Sequence, residues 1–223
     1  MNPMTRTVAV RREAVLATNS LIRNTYILLS MTLLFSAAMA TVAVVTNVPP
    51  LNVWIVLIGY FGLLFLTSAL RNSAWGLLSV FALTGFMGYT LGPIINIYLT
   101  TFSNGSQLVA YAMGSTGVIF LGLSGYALST RQDFSYMGGF LMAGILVAFL
   151  AAIANIFIGM PALALAVSSL FVMLMCGLIL YQTSAMVHGG ETNYIMATIT
   201  LYVAIYNLFA SLLHLLGVFG GEE

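Results

Sequence analysis

The chain has 223 residues, of which 61% are hydrophobic and only 5% are charged, with a formal net charge of +1. Soluble domains carry about 25% charged residues, so this composition excludes an ordinary soluble domain, and the lack of a basic patch excludes a nucleic-acid-binding protein. Lysine does not occur, and all the basic residues are arginine. This excludes mechanisms that need a lysine, such as a retinal Schiff base or a P-loop.

Seven apolar segments predict an all-α integral membrane protein, a seven-transmembrane-helix bundle. Each segment has about 20 residues or more, enough to cross a hydrocarbon core of about 30 Å. Turn-forming residues separate the segments, and the weakest break, Met160–Pro161, leaves open a count of six with one long broken helix. The predicted spans are Thr25–Thr46, Leu51–Leu70, Ala74–Leu99, Gln107–Thr130, Tyr136–Gly159, Pro161–Val187 and Tyr194–Phe219. Residues 1–24 are predicted to form an N-terminal tail and residues 25–223 the bundle domain.

The arginines predict the orientation of the bundle. Four precede the first span, one follows the second span and one follows the fourth, so all six lie on one side of the membrane. They are Arg6, Arg11, Arg12, Arg23, Arg71 and Arg131. By the positive-inside rule, the N-terminal tail and the loop His188–Asn193 are expected in the cytoplasm and the C-terminus outside. "AMA" at Ala38–Ala40 resembles a signal-peptidase site, but the apolar run continues past it, so this helix is expected to be retained.

Small residues indicate how the helices pack. Lipid provides no hydrophobic force between helices, so close backbone approach and interhelical hydrogen bonds must hold them together. Two glycine stripes are therefore interpreted as packing faces, and Pro93 is expected to kink the third helix. The stripes are Gly85, Gly88 and Gly92 in the third span and Gly114, Gly117, Gly122 and Gly125 in the fourth.

A stripe of small and polar residues runs along one face of the last span. Its members recur in steps of three and four, which places them on one side of a helix: Asn193, Ala197, Thr200, Ala204, Asn207, Ser211 and His214. Gln182, near the end of the sixth span, is expected to meet the start of this stripe. Interhelical hydrogen bonding and a hydrated pathway both remain open as interpretations.

Three constellations that could carry chemistry are weak. "GLSG" with Ser124 matches the motif of intramembrane serine proteases, but His214 would lie about 20 Å away along the membrane normal, too far for a base. His188 and Glu191 provide two ligand types, too few for a closed zinc site; His188 is expected to be a solvated loop histidine. Cys176 lies in an apolar run and is expected to be a buried hydrophobe. No catalytic residue, cofactor or metal is predicted.

Five segments resemble the Bax inhibitor-1 family, and most closely its bacterial YccA-type branch. "HGGETNYI" together with seven spans is the most specific feature. The segments are "RNTYILLSMTLLFSA" (Arg23–Ala37), "GFMGYTLGPIINIY" (Gly85–Tyr98), "NIF" (Asn155–Phe157), "HGGETNYI" (His188–Ile195) and "LYVAIYNLF" (Leu201–Phe209).

The resemblance implies a bundle with a central seventh helix and two possible activities. One is a non-enzymatic role in the inner membrane, associating with the FtsH membrane protease and restraining it. The other is a slow, pH-sensitive calcium leak, known for other branches of the family. Leak-type relatives carry an aspartate pair where this chain has Gln182 and Ala204, neither of which can ionise. A carrier for a small solute is a third possibility, but the spans contain no carboxylate that could couple ions.

Six residues are therefore candidates for a latch or a pathway. They are Gln182, His188, Glu191, Asn193, Ala204 and Asn207. His188 and Glu191 are candidates to replace the missing aspartate pair at the cytoplasmic mouth, and the leading functional expectation is modulation of FtsH.

Overall fold

The structure is a computed structural model, which describes the backbone of residues 3–221 and the side chains of residues 16–221. Within residues 3–221, seven α-helices follow one another, and each is long and apolar enough to cross a membrane. They are α1 (Pro3–Val45), α2 (Val53–Leu70), α3 (Trp75–Thr101), α4 (Gly105–Thr130), α5 (Gly138–Ile158), α6 (Pro161–His188) and α7 (Tyr194–Gly220), with a one-turn 3-10 helix at Ser135–Met137 before α5. The prediction of an all-α, seven-helix membrane protein is confirmed.

Two helix boundaries differ from what the sequence suggested or left open. Helix α1 begins at Pro3, so the segment expected as a tail is helical from that residue, and the part that qualifies as a membrane span is Leu16–Val45. The division into a tail and a bundle domain stays a prediction. At the weakest break, Gly159 adopts a left-handed conformation (φ 67°) that ends α5, and Pro161 begins α6. This is the ordinary glycine stop and proline start of two helices, so the count of six is wrong.

The last helix lies at the centre of the bundle, as expected. Helix α7 packs against α1, α3, α4 and α6, and half of its most apolar stretch is buried, against 6% for α2 and 11% for α5. Helix α3 shares this central position with 61% buried, and it continues as one helix through Pro93 to Thr101. The peripheral helices are α2, which packs on α3, and α5, which packs on α6.

Hydrogen bonds between loops and helix ends are found at both ends of the bundle. At one end the loop after α6 bonds to the turn after α2 through Asn193 and Asn72, 2.9 Å apart. We call this the arginine-bearing end, because Arg71 and Arg131 lie in its loops. At the opposite end Asn96 donates to Asn47 over 3.3 Å, and Asn104 donates to the carbonyl of Gly220 over 2.7 Å.

The glycine stripe of α3 is a packing face against α1, as predicted. A β-carbon built on Gly85 would lie 2.6 Å from the ring of Phe35, and one on Gly88 would collide with the carbonyl oxygen of Ser36. One on Gly92 would meet Ala43. At Gly88 and Gly92 glycine is needed because the backbone of α1 approaches too closely for a side chain, whereas at Gly85 the obstacle is the Phe35 ring.

The glycine stripe of α4 does not pack inside the bundle, so that prediction is wrong. A β-carbon at any of its four positions, Gly114, Gly117, Gly122 and Gly125, would meet nothing within 4 Å. The buried face of α4 instead carries larger and hydroxyl-bearing residues: Leu108, Ala112, Thr116, Phe120, Ser124 and Ala127. Lipid is as apolar as the protein interior, so a helix can expose its glycines to lipid without exposing them to water. Glycine spacing alone therefore does not reveal which side of a helix faces the bundle.

Candidate functional site

The candidate site is built on the loop that joins α6 to α7. Helix α6 ends at His188, and Gly189 follows in a left-handed conformation with φ 77°, which glycine adopts without strain. The chain then folds back, since the N–H groups of Gly190 and Glu191 both donate to the carbonyl of Ala185 at 2.8 and 3.1 Å. The "HGG" of the motif therefore makes a compact helix end.

Glu191 and Asn193 complete this loop through backbone bonds. One carboxylate oxygen of Glu191 accepts from the N–H groups of Thr192 and Asn193, each at 2.8 Å. The Asn193 side-chain oxygen accepts from Ile195 and Met196 at 3.0 and 3.1 Å, which caps the exposed donors at the start of α7. The acid of the motif is thus engaged by its own loop.

Asn193 also joins this loop to the turn after α2. Its side-chain nitrogen donates to the carbonyl of Arg71 at 3.1 Å and to the side-chain oxygen of Asn72 at 2.9 Å. All the hydrogen-bonding atoms of this amide are therefore in use. We refer to the loop 189–193 with its bonds to Arg71 and Asn72 as the latch.

A second contact joins the end of α6 to the loop between α4 and α5. The Ser184 hydroxyl donates to the carbonyl of Gln132 at 2.9 Å and accepts from the N–H of Phe134 at 3.0 Å. His188 Nδ1 lies 2.9 Å from the carbonyl oxygen of Ser184, and because a carbonyl only accepts, Nδ1 carries the hydrogen. His188 is exposed, as expected, although it ends α6 rather than lying in the loop, and one of its ring nitrogens bonds to its own helix.

Asp133 lies in this same loop and is fully exposed. Its pKa lies below the ordinary value of 3.8, chiefly because the backbone N–H of Ser135 donates to the carboxylate, and also because of the Ser135 side chain and the nearby His188. A carboxylate with a lowered pKa stabilises the folded state above its unfolded pKa and ceases to do so as the pH falls through the folded value. The Asp133 carboxylate is therefore charged near neutral pH, where it accepts the hydrogen bonds from Ser135.

Among the residues whose side chains are described, 16–221, no group of three His, Cys, Asp or Glu could hold a metal ion. Ser124 and His214, considered above as a possible protease pair, have different partners. The Ser124 hydroxyl lies 3.3 Å from that of Thr183, whereas the His214 ring bonds to Ser168 at 2.7 Å. Ser124 and His214 therefore belong to different contacts. Cys176 is half-buried.

Gln182 and Ala204, two uncharged candidate positions, are both buried. The Gln182 side chain is 5% exposed and its amide nitrogen has no hydrogen-bond partner, while Ala204 is fully buried in the core. The Thr25 and Tyr26 hydroxyls are likewise buried and unpartnered. These groups are polar but carry no charge.

Most polar side chains of the stripe along α7 do not bond to other helices. Thr200 and Asn207 donate to carbonyls of their own helix, those of Met196 and Val203. Among the described residues of α7 that belong to the stripe, His214 alone bonds to a side chain of another helix, that of Ser168 on α6. Asn193, at the helix start, reaches the turn after α2.

The main interhelical hydrogen bonds involve residues that the sequence did not single out. The Tyr202 hydroxyl lies 2.6 Å from the hydroxyl of Ser36 on α1 and donates to the carbonyl of Thr84 on α3 at 3.2 Å. Thr198 reaches the carbonyl of Thr25 at 3.3 Å. Tyr202 itself was the available signal in the sequence, because a tyrosine in the middle of a membrane span usually finds a hydrogen-bond partner for its hydroxyl.

Comparison with known proteins decides the family. A family model described as "inhibitor of apoptosis-promoting Bax1" matches residues 18–221. The chain belongs to this family. Two relatives from Escherichia coli, named "modulator of FtsH protease YccA" and "inner membrane protein YccA", are each 48% identical over 206 residues, covering 92% of this chain and 93% of the relative. An uncharacterised protein of Pseudomonas aeruginosa is 52% identical over 216 residues, covering 97% of this chain and 95% of the relative.

This result agrees with the sequence segments that suggested the family. The latch residues form most of the "HGGETNYI" segment, and Tyr202 lies in "LYVAIYNLF". The chain is a member of this family, has seven apolar helices and has a relative named as an inner membrane protein. It is therefore a multi-pass protein of the bacterial inner membrane.

Proposed function

We propose that this protein is a non-enzymatic modulator of the FtsH membrane protease, which it binds and restrains. The single observation that carries this proposal is the identity of 48% over nearly the full chain with the relative named "modulator of FtsH protease YccA". The match covers 92% of this chain, so it extends well beyond one motif.

The packing of the bundle supports a restraining role. Short loops connect its helices, and those at the arginine-bearing end are held by the latch and by the Ser184 bonds. A protease that must extract and unfold a membrane protein acts at a rate set by the unfolding barrier. A bundle with interlocked helices and bonded loops would occupy such a protease while being degraded slowly.

The N-terminal segment is the proposed point of access for the protease. Residues 1–24 are predicted to be cytoplasmic by their arginines, and chain termini are preferred sites of proteolytic entry. Their side chains before Leu16 lie outside the described residues. The proposal therefore assigns them a role through position and charge alone.

Co-purification tests the proposal directly. The protein, expressed at near-native level and extracted in mild detergent, should bring down FtsH, and its overproduction should lengthen the half-life of a membrane substrate of FtsH. A seven-helix membrane protein of unrelated family, expressed to the same level, serves as the control. If FtsH neither co-purifies nor changes its turnover of the substrate, the proposal is wrong.

Two N-terminal variants test the point of access. Deleting residues 2–15 should reduce the effect on substrate half-life, whereas replacing them with a Gly/Ser sequence of equal length separates tail length from tail sequence. Both variants should keep the melting temperature of the bundle, because the deletion stops before the candidate span Leu16–Val45. An unchanged effect in the deletion variant would remove the tail from the mechanism and leave the bundle as the binding surface.

A further inference from the structure

A groove of about 300 Å³ opens on the side of the bundle near its arginine-bearing end. Helix α1 forms one wall with Asn24, Ile27, Leu28 and Met31, α3 forms the other with Leu77 and Phe81, and Tyr194 at the start of α7 closes the end. Ile27 and Met31 are about half exposed. The groove belongs to none of the latch contacts.

The polarity of the groove changes along its length. Met31 and Ile27 lie about 10 Å and 5 Å deeper in the membrane than Asn24, at 1.5 Å of rise per residue. The deep part is thus lined by aliphatic and aromatic side chains, and the polar side chains, Asn24 and Tyr194, are at the mouth. A site that is apolar below and polar above matches an amphiphile that stands parallel to the helices.

Two exposed arginines lie next to residues of this mouth, Arg23 beside Asn24 in the chain and Arg71 through its backbone. Arg23 is exposed and lies one helical turn before Ile27, on the same face of α1. Arg71 is exposed too, and its carbonyl accepts from Asn193, the residue next to Tyr194. Glu191, the acid of the same loop, has its carboxylate oxygen bonded to backbone N–H groups.

We propose that this groove binds an anionic glycerophospholipid, with one acyl chain between α1 and α3 and the phosphate between Arg23 and Arg71. Basic pockets between transmembrane helices favour anionic headgroups, and each nearby cation strengthens the attraction. Tyrosine at the same level suits the headgroup region, because its ring is apolar and its hydroxyl is wet. A zwitterionic lipid would fill the apolar part equally but would gain less from the two arginines.

Quenching of tryptophan fluorescence by brominated lipids tests the proposal at the groove itself. In a chain carrying Trp54→Phe and Trp75→Phe, Met31→Trp places a single reporter on the groove wall, and Leu146→Trp places one on the exposed face of α5. The protein is reconstituted in bilayers with brominated phosphatidylglycerol or brominated phosphatidylcholine. At residue 31 the anionic lipid should bind about five-fold or more tightly, whereas at residue 146 the two lipids should be equivalent.

Arginine variants supply matched controls. Arg23→Gln with Arg71→Gln should abolish the preference at residue 31, and Arg131→Gln, in the loop after α4, should keep it. Ile27→Phe should fill the groove and reduce quenching by both lipids with the arginines intact. Each variant is checked for an unchanged melting temperature, and if Ile27→Phe does not fold, the arginine pair decides.

Two results would overturn the proposal. One is equal quenching by the two lipids at residue 31, which would make the groove an ordinary lipid-facing surface. The other is a preference that survives loss of both arginines, or one that Arg131→Gln abolishes equally, since either would assign it to the general surface charge.

Discussion

At the scale of single residues, hydroxyl groups hold the central helices together. Tyr202 is 1% exposed and joins α7 to α1 through Ser36 and to α3 through Thr84. Ser36 also stands with its backbone against Gly88, so the hydrogen bond and the close helix approach occur at the same level. Such bonds contribute modestly in membranes, because the unfolded chain in lipid also finds partners.

Replacing Tyr202 with phenylalanine should therefore lower the free energy of unfolding by about 1 kcal/mol. The ring is retained, so the loss measures the hydroxyl. Unfolding in a detergent titration measures it, and Tyr111→Phe, an exposed tyrosine on α4, should change nothing. A double-mutant cycle with Ser36→Ala should show that the two losses are not additive; additive losses would mean that this contact carries no energy.

The uncharged pair at Gln182 and Ala204 predicts little calcium flux through the wild-type protein in liposomes between pH 6 and 8. Gln182→Asp with Ala204→Asp should raise the flux, because carboxylates both attract calcium and titrate. Gln182→Asn with Ala204→Ser is a polar but uncharged control and should remain inactive. Strong wild-type flux that Glu191→Gln abolishes would instead favour the leak function.

At the scale of elements, two glycine-rich helices of similar sequence character have different roles. In α3 the glycines touch α1, while in α4 they face away from the other helices. Hydropathy does not distinguish these cases, because lipid and protein interior are equally apolar. The hydroxyl-bearing and larger residues of α4 take the buried side.

Alanine substitution separates the two stripes. Gly88→Ala should destabilise the bundle by about 1–3 kcal/mol because the added methyl meets the Ser36 backbone. Gly122→Ala should leave stability unchanged or raise it by up to about 1 kcal/mol, since alanine is the better helix former. Detergent unfolding of both variants checks this, and equal losses would refute the packing assignment.

The latch makes a second prediction at this scale. Asn193→Ala removes the cap of α7 and the link to Arg71 and Asn72 together, so it should cost about 1–2 kcal/mol. Asn72→Ala removes one bond of the link and keeps the cap, and it should cost less. Hydrogen exchange in the first turn of α7 should increase in Asn193→Ala alone; equal exchange in the two variants would show that the cap is unimportant.

At the scale of the whole molecule, the arginines predict an orientation that reporter fusions can measure. A reporter active only outside the cytoplasm should be active when fused after Glu223 and inactive when inserted in the loop 189–193. Arg71→Glu with Arg131→Glu should weaken this preference, because the positive residues near the spans set the orientation. Activity of the loop insertion in the unmodified chain would reverse the assignment.

Much of this architecture was predictable from the sequence. The lengths of the apolar runs, with the break at Gly159 and Pro161, were enough to predict seven helices. Segments such as "HGGETNYI" were enough to predict the family and, through it, a central α7. A membrane allows this because a spanning segment must satisfy its backbone internally, which limits it to a helix of defined length.

Other features depended on the tertiary structure. Four of them depend on how each helix is rotated and on which helices are its neighbours. They are the outward face of α4, the bond between Ser36 and Tyr202 at a sequence separation of 166, the engagement of Glu191 by its own loop, and the groove beside Arg23. The sequence determined how many helices cross the membrane and to which family they belong. Only the packed bundle decided which side of each helix is inside, because hydropathy is the same toward lipid and toward protein.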